Sequence, residues 1–290
     1  MRTPTIYTRE YAFPDGIKLE LGKRTLIMGI LNATPDSFSD GGRYPTVEAA
    51  VARAEEMAAE GADLIDIGGE STRPGHAPVS AEEELARILP VIRAVKERVK
   101  LPISVDTYKA ETARRALEAG AHIVNDVWGF KKDPAIAAVA AEFGCPVILM
   151  HNRNDRDYAD FMADALNDLR DSVAIARQAG VKDENIWLDP GIGFAKDYGE
   201  NLEIMGRLDE VAALGFPVLL AASRKRMIQT ALGVPASEAA EGTGATTALG
   251  IAQGCQIVRV HDVLLSKRIA LMTDAIVYRD GEERSKARHG

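Results

Sequence analysis

The 290-residue sequence has only two cysteines, Cys145 and Cys255, and no C-x-x-C motif. Two such thiols cannot form a disulfide framework or a thiolate metal site, so we expect both to be buried and inert. No apolar run approaches the roughly 18 residues of a membrane-spanning helix. The N-terminal region carries charges in place of the apolar core of a signal peptide. Together these absences predict a cytoplasmic protein.

Basic residues are also in the minority. The chain has 35 lysines and arginines against 43 aspartates and glutamates, which gives a formal net charge of −8. No basic stripe is apparent, which argues against a nucleic-acid-binding protein. An anionic small substrate remains compatible with this balance, because a few arginines in a cleft can reverse the local field.

Short apolar runs and amphipathic stretches alternate along most of the chain. Apolar runs without polar alternation are typical of strands buried on both faces, as in a parallel sheet. Several amphipathic stretches stop at a glycine (Gly61, Gly120, Gly144 and Gly180), where left-handed helix ends are expected. The predicted strands are 26–31, 63–68, 102–106, 122–126, 146–150, 185–189, 217–221 and 256–260, and the predicted helices are 46–60, 80–98, 108–119, 134–143, 158–179, 200–213, 224–232 with 237–253, and 263–277.

Eight strands, each followed by a helical stretch, predict an α/β fold of the (β/α)8 TIM-barrel type. A doubly wound open sheet is the runner-up, but no G-x-G-x-x-G motif follows the first predicted strand. Residues 1–24 predict an N-terminal β-hairpin, which we assign to the barrel domain as a plug for one end. The catalytic barrel is expected to span residues 25–280, and residues 281–290 to form a flexible, charged tail.

Polar side chains stand at or near the end of each predicted strand. A single aspartate at a strand end is often a helix cap or a turn residue. Eight polar ends that converge on one end of a barrel are better explained by a site, because catalytic groups of this fold lie there. The residues concerned are Asn32, Asp66, Asp106, Asn125 with Asp126, His151 with Asn152, Asp189, Ser223 to Arg226, and Arg259 with His261 and Asp262.

At these positions the chain closely resembles the dihydropteroate synthases, a family of pterin-binding TIM-barrel enzymes of folate biosynthesis. The first two matching motifs are long and specific, and the set follows the expected order over nearly the whole chain. The motifs are G-I-L-N-A-T-P-D-S-F-S-D-G-G at 29–42, D-I-G-G-E-S-T-R-P-G at 66–75, S-V-D-T at 104–107, N-D-V at 125–127, L-D-P-G-I-G-F-A-K at 188–196, S-R-K at 223–225 and R-V-H-D at 259–262.

The resemblance implies a reaction, a metal and an assembly. The family condenses 6-hydroxymethyl-7,8-dihydropterin diphosphate with p-aminobenzoate, releases pyrophosphate, uses Mg2+ and is inhibited by sulfonamides. It implies dissociative substitution, in which the C–O bond breaks first and p-aminobenzoate then attacks a pterin methylene cation. A homodimer is implied as well, and the small residues of the stretch 245–254 offer a close-packing surface.

The pterin pocket is predicted at the strand ends. Carboxylate and amide groups can read the N–H edge of a dihydropterin, because unmade hydrogen bonds there are costly. The resemblance gives Asp106, Lys225 and Asn32 catalytic roles, with the Asp106 charge opposite the developing cation. The expected pterin-binding residues are Asp106, Asn125, Met150, Asp189 and Lys225.

The diphosphate site is expected at Asn32, Thr72, Arg259 and His261. A guanidinium fork suits phosphate oxygens, and Asn32 is implied to contact Mg2+, which neutralises charge on a leaving group. Without the family resemblance, His261 would also suit a structural role.

The resemblance places p-aminobenzoate between two polar loops, 33–46 and 69–79, and a predicted helix start at Ser223 to Arg226. We expect the loops to be mobile and to be ordered by Mg2+-pyrophosphate with a pterin. Relatives often carry serine where this chain has Arg226. The expected p-aminobenzoate residues are Phe38, Thr72, Arg73, Pro74, Phe194, Ser223 and Arg226.

Two other functions fit a pterin-binding barrel. A pterin-binding methyltransferase should lack the G-E-S-T-R-P-G motif, which is present at 69–75. A non-catalytic pterin-binding paralogue should have lost the diphosphate set, yet Asn32, Arg259 and His261 all remain.

Overall fold

Eight parallel strands close into a barrel in the computed structural model, which describes residues 4–34, 47–71 and 78–278. The strands follow one another around the barrel in chain order, and the last pairs with the first. This closure confirms the predicted TIM barrel and excludes the open sheet. After a hairpin of β1 (Arg9–Ala12) and β2 (Lys18–Leu21), the barrel strands are β3 (Leu26–Asn32), β4 (Leu64–Gly68), β5 (Ile103–Asp106), β6 (Ile123–Asp126), β7 (Val147–Met150), β8 (Ile186–Asp189), β9 (Val218–Leu220) and β10 (Cys255–Val260).

Helices follow every barrel strand. The stretch predicted as one helix at 200–213 is two helices, because Arg207 leaves the helical conformation with φ −131°. The first of them starts early, since Asp197 and Glu200 form a capping box around its N-terminus. The helices are α1 (Val47–Glu60), α2 (Ala81–Arg98), α3 (Ala110–Ala119), α4 (Ala135–Phe143), α5 (Phe161–Gln178), α6 (Tyr198–Gly206), α7 (Leu208–Ala212), α8 (Arg226–Leu232), α9 (Ala240–Ala252) and α10 (Val263–Val277).

The barrel strands are buried on both faces. Ile27, Ile65 and Val105 pack with helix residues in one large core between sheet and helices. Side chains of the opposite parity, such as Met28 and Leu64, form a second core inside the barrel. Burial on both faces explains why these strands appear in the sequence as apolar runs without polar alternation.

The N-terminal hairpin closes the end of the barrel where the strands begin. Tyr11, Leu19 and Leu21 belong to the interior core, together with residues from the barrel strands. The Tyr11 hydroxyl donates to the carbonyl of Glu184 at 2.7 Å and accepts from the indole N–H of Trp187 at 2.8 Å. The predicted plug is therefore present, and its apolar side chains fill the barrel interior at that end.

Glycine ends helices as predicted, for example after α3 and α4. Gly120, after α3, has φ 112°, and Gly144, after α4, has φ 62°. In each case the glycine N–H bonds to carbonyls of the last helical turn. Both therefore occupy the left-handed conformation that residues with a Cβ adopt at a cost.

The two thiols are buried and unpaired, as expected. Burial raises the pKa of Cys145 to about 12 and raises the pKa of Cys255 still further. Both are therefore uncharged and unreactive at neutral pH. Among the helices that the structure describes, none has the length and apolar character to cross a membrane.

We predict that Tyr11→Phe destabilises the barrel without altering its open end. The substitution leaves the buried Trp187 N–H without its acceptor, which typically costs about 1–3 kcal/mol. Urea unfolding followed by tryptophan fluorescence measures the loss. Tyr198→Phe, on the exposed surface of α6, is the control and should unfold like the unchanged protein. Equal stability of the two variants would show that the hairpin contact does not hold the barrel closed.

Candidate active site

The residues predicted for pterin recognition meet where the barrel strands end. Asp106 pairs in register with Asn125 on the neighbouring strand, and Met150 pairs with Asp189. All four are buried. Asn32 ends β3 on the same side of the barrel. Strand register alone thus gathers side chains that lie far apart in the sequence.

A partly buried arginine joins two buried aspartates at the centre of this group. Arg259 donates from Nε to Asp66 Oδ2 at 2.6 Å and from Nη2 to Asp106 Oδ2 at 2.8 Å. Asn125 Nδ2 also donates to Asp66 Oδ2, at 3.1 Å. The sequence placed Asp66 among the polar strand ends but assigned it no binding role. The signal for it was a charged residue inside an otherwise apolar strand, since an aspartate is rarely buried without a partner.

The electrostatics of the cluster favour binding a ligand with N–H donors. Burial raises the pKa of the Asp106 carboxyl above its ordinary range, and the Arg259 charge opposes this rise. Of the buried side-chain oxygens that lack a hydrogen-bond partner in the described part of the chain, three lie on β4 and β5: Asp66 Oδ1, Asp106 Oδ1 and Ser104 Oγ. Buried acceptors left unpaired are costly. A ligand that presents N–H groups to them would offset that cost.

The loop after β8 supplies the next group. Asp189 Oδ1 accepts from the N–H of Gly191 at 2.7 Å. Burial raises the pKa of Asp189, while this hydrogen bond and the charge of Lys225 oppose the rise. The ammonium of Lys225 lies 4.4 Å from the centre of the Phe194 ring. A residue predicted for pterin and one predicted for p-aminobenzoate are therefore in direct contact.

Ser223 lies with the residues predicted for diphosphate. Its hydroxyl is 3.0 Å from His261 Nδ1, and it also accepts from the His261 backbone N–H at 3.3 Å. The helix expected to begin at Ser223 starts only at Arg226, with Lys225 as its N-cap, and it has seven residues. Arg226 is exposed on its first turn. Ser223 is therefore buried and Arg226 is exposed, and the sequence placed both at one anion site.

Two strand-end aspartates have structural partners. Asp126 accepts from the backbone N–H groups of Trp128 and Phe130, both at 2.8 Å. Asp262 caps α10 by accepting from the N–H of Leu265 at 3.0 Å. The structure therefore supports a turn or cap role for these two carboxylates.

A cleft of about 730 Å³ is lined by residues of the loops that follow the barrel strands, including Phe194. Tyr108 and Trp128 line one part of it, and Phe194 lies in its wall with Arg153 and Arg156. It also borders Ser71 and Pro78, which flank the segment 72–77. Phe38, Thr72, Arg73 and Pro74, four of the residues predicted for p-aminobenzoate, lie outside the described residues, as do most of the two loops.

The donor set suits a magnesium ion that arrives with its substrate. In the ranges that the structure describes, no three His, Cys, Asp or Glu side chains are grouped as metal ligands. Mg2+ commonly takes one or two protein oxygens, several waters and substrate phosphates. Asn32 offers one amide oxygen at the end of β3, half-buried and beside Gly68 of the next strand. The residues present therefore fit such an ion.

Comparison with known proteins places the chain in a class. Residues 28–261 match the family model of the pterin binding enzymes. The dihydropteroate synthase of Clostridium beijerinckii is 56% identical over 263 residues, which is 90% of this chain and 98% of that protein. The chain belongs to the pterin-binding enzymes, and within them to the dihydropteroate synthase family.

Solved structures agree with this assignment. A dihydropteroate synthase from Clostridium difficile, determined with pteroic acid, has a TM-score of 0.87 and 49% identity, covering 89% of this chain and 98% of its own. That of Xanthomonas albilineans with 4-aminobenzoic acid has a TM-score of 0.88 and 40% identity, covering 93% and 98%. The family resemblance and the fold predicted from the sequence are both confirmed.

We predict that Arg259→Met destabilises the protein more at pH 8 than at pH 5. Removing one partner of a buried ion pair typically costs about 3–5 kcal/mol. The remaining Asp106 carboxyl has a raised pKa, so the folded state holds a proton that the unfolded state releases. Stability of the variant should therefore fall as the pH rises from the ordinary carboxyl value to the raised one.

Urea unfolding at the two pH values measures this difference. Arg115→Met is the control, because Arg115 pairs with Glu111 and Glu118 on the exposed face of α3 and should give a small change at both. A loss from Arg259→Met that is equal at both pH values would contradict the assignment of Asp106 as the titrating partner.

Proposed function

We propose that the chain condenses 6-hydroxymethyl-7,8-dihydropterin diphosphate with p-aminobenzoate to give 7,8-dihydropteroate and pyrophosphate in folate biosynthesis. The observation that carries this proposal is the buried Asp66–Arg259–Asp106 cluster, with acceptor oxygens that lack partners among the described residues. It provides acceptors for the pterin edge and a cation for the diphosphate within one pocket. Membership of the dihydropteroate synthase family supports the same reaction.

Pterin recognition is assigned to the strand ends. Asp106 Oδ1 is available as an acceptor, and Asn125 and Asp189 lie on neighbouring strands with buried polar side chains. Met150 offers an apolar wall, and Lys225 offers a donor for the pterin carbonyl. Because a site built on buried polar groups leaves them unpaired with the wrong ligand, this arrangement favours a pterin over an apolar ring.

The chemical step needs charge of both signs. In the proposed dissociative route, the bond between the pterin methylene and the diphosphate oxygen breaks, and its electron pair leaves with pyrophosphate. The amine of p-aminobenzoate then forms the C–N bond and releases a proton. An ionised Asp106 would stabilise the cation between these events, while Arg259 and His261 would bind the departing anion.

A magnesium ion at Asn32 is part of the proposal. The amide oxygen of Asn32 would hold it beside the diphosphate, and the ion when bound neutralises charge on the leaving group. The rest of the diphosphate site is assigned to Thr72, Arg259 and His261. The sequence assigned Ser223 to p-aminobenzoate, and its hydroxyl, 3.0 Å from His261 Nδ1, supports the proposal that it also borders the diphosphate.

The second substrate is assigned to the cleft that reaches Phe194. The Phe194 ring offers a stacking surface for an aromatic acid, and Lys225 lies over that ring. Phe38, Thr72, Arg73 and Pro74 are proposed to complete the site from the two loops. Arg226 is exposed on the first turn of α8, where its side chain can approach the carboxylate from solvent. The same cleft is the proposed site for sulfonamides.

We also propose a homodimer that works in the cytoplasm. Exposed large apolar side chains are concentrated on α10, where Leu264, Leu271, Met272 and Ile276 face outward. A second copy of the chain would cover this surface. The glycines of α9 have another role: a Cβ on Gly250 would lie 2.4 Å from Leu220 within the same chain. Free buried cysteines suit a reducing compartment.

The proposed reaction is tested by incubating the protein with the pterin diphosphate, p-aminobenzoate and Mg2+ and looking for dihydropteroate. Asp106→Asn is the diagnostic variant. It keeps the shape of the side chain but removes its charge, so we expect turnover to fall by about 10²–10³. Affinity for 6-hydroxymethylpterin, measured by calorimetry, should fall much less.

Asp189→Ala is the matched comparison, and we expect it to abolish pterin binding while the thermal melt still shows a folded barrel. Equal losses of affinity and turnover for Asp106→Asn would mean that Asp106 only binds the pterin. Absence of product from the unchanged protein would overturn the proposed reaction itself.

The proposed dimer is tested by sedimentation velocity. Leu271→Arg places a charge in the exposed apolar face of α10, so we expect it to shift the protein from dimer to monomer. Leu202→Arg, on the exposed face of α6, is the control and should remain dimeric. A monomeric unchanged protein, or dissociation by both variants, would contradict this interface.

A further inference from the structure

A second buried cation lies beside the candidate site. Lys196 follows β8 in the loop that connects it to α6, and its side chain is only 9% exposed. Its ammonium is 2.7 Å from His151 Nδ1, 2.9 Å from the carbonyl of Gly191 and 3.1 Å from the carbonyl of Phe194. An ammonium has three N–H donors. All three are used within the protein, so Lys196 is not available to bind a substrate.

His151 connects Lys196 to a carboxylate. Its Nε2 is 3.0 Å from Asp168 Oδ2, which also accepts from Arg153 Nε at 2.6 Å. Burial lowers the pKa of His151 to about 4, so the ring is neutral at physiological pH. With Nδ1 accepting from Lys196, the ring proton must lie on Nε2, where it can be donated to Asp168. One tautomer therefore satisfies the whole network, which links α5, β7 and the loop after β8.

The loop held by Lys196 carries two residues of the proposed site. Gly191 donates its N–H to Asp189, and Phe194 lies under the ammonium of Lys225. Lys196 binds the carbonyls of Gly191 and Phe194 themselves. A change in its position would therefore move both residues.

Close packing makes the position of the loop specific. Gly191 has φ 69°, and a Cβ there would lie 2.0 Å from the backbone carbonyl of His151. Asn201 Oδ1, on α6, accepts from the N–H of Gly193 at 2.6 Å. The loop thus passes directly over the end of β7, and Lys196 is the charged group that holds it there.

An apolar residue would fill this space at a smaller desolvation cost, because burying an ammonium is expensive. Desolvation lowers the pKa of Lys196 to about 7, against the opposing charge of Asp189. The lysine is therefore unfavourable for stability unless its three hydrogen bonds are needed to fix the loop.

We propose that Lys196, oriented by His151 and Asp168, is a positioning residue that fixes the loop after β8 so that Asp189 and Phe194 face the substrates. The part of this inference that concerns substrates rests on the proposed function. The part that concerns the loop rests on geometry alone, so the two can be tested separately.

The main variant is Lys196→Met, which keeps the length of the side chain and removes its donors. We expect the KM for the pterin diphosphate to rise roughly 10- to 100-fold, as is common when a supporting shell is lost, while kcat changes by less than about threefold. Hydrogen exchange at the amides of Gly191 and Gly193 should accelerate by at least about tenfold, because their partners lose a fixed geometry. Measurements are made well below the melting temperature of each variant.

Ser172→Ala is the matched control. Ser172 is buried in α5, and among the described residues its hydroxyl bonds to the carbonyl of Asp168, so its loss should lower the melting temperature without changing KM or loop exchange. A folded Lys196→Met protein with unchanged KM and unchanged exchange at both glycines would overturn the inference. If that variant fails to fold, Asp168→Asn should give a smaller rise in KM and a smaller acceleration of exchange at the two glycines. Unchanged exchange in Asp168→Asn would then overturn the inference.

Failure of the proposed function has a different outcome. In that case the unchanged protein forms no dihydropteroate, while Lys196→Met still accelerates exchange at Gly191 and Gly193. Accelerated exchange with an unchanged KM would restrict the role of Lys196 to the loop and overturn its role in positioning Asp189.

Discussion

The buried contact of Arg259 with Asp66 and Asp106 is the constraint on which the open end of the barrel depends. One partly buried guanidinium faces two buried carboxylates. Two carboxylates therefore share one cation. Burial raises the pKa of Asp106, and its second oxygen has no hydrogen-bond partner among the described residues. Such a cluster is a poor source of stability. It is better suited to a ligand that brings both N–H donors and an anionic group.

One end of the barrel is packed for stability, and the other end carries the polar groups of the candidate site. At the end where the strands begin, the hairpin fills the interior with apolar side chains, and the Tyr11 hydroxyl satisfies its polar neighbours. At the other end, the strand register gathers carboxylates, an amide and an arginine. A closed barrel allows this division because its strands cannot separate at an edge, so one end can carry costly polar groups.

Around the central cluster, supporting contacts fix the groups that would meet substrates. Ser223 orients His261, and Lys196 with His151 holds the loop that carries Asp189 and Phe194. Each of these contacts joins residues from different loops, which places the site on several elements at once. A shift of one loop would therefore change the pocket without unfolding the barrel. This arrangement is what a reaction with two substrates and a leaving group requires, because three binding regions must keep fixed relative positions.

The sequence by itself determined the order and type of the elements. Short apolar runs, helix-ending glycines and eight successive strand–helix units predicted the barrel. A strand that is buried on both faces can be recognised from its own segment, because that segment is apolar throughout. It also placed Asp106, Asn125 and Asp189 at strand ends, and the long motifs indicated the family. Only the tertiary structure decided which polar groups pair. Arg259 meets Asp66 across 193 positions of the chain, and neither Lys196 nor Asp168 has a local signal for its partner. The same local pattern gave Asp126 and Asp189 equal weight, yet Asp126 bonds to two N–H groups of its own turn. Partner choice depends on strand register and barrel closure, which are properties of the whole fold rather than of any segment.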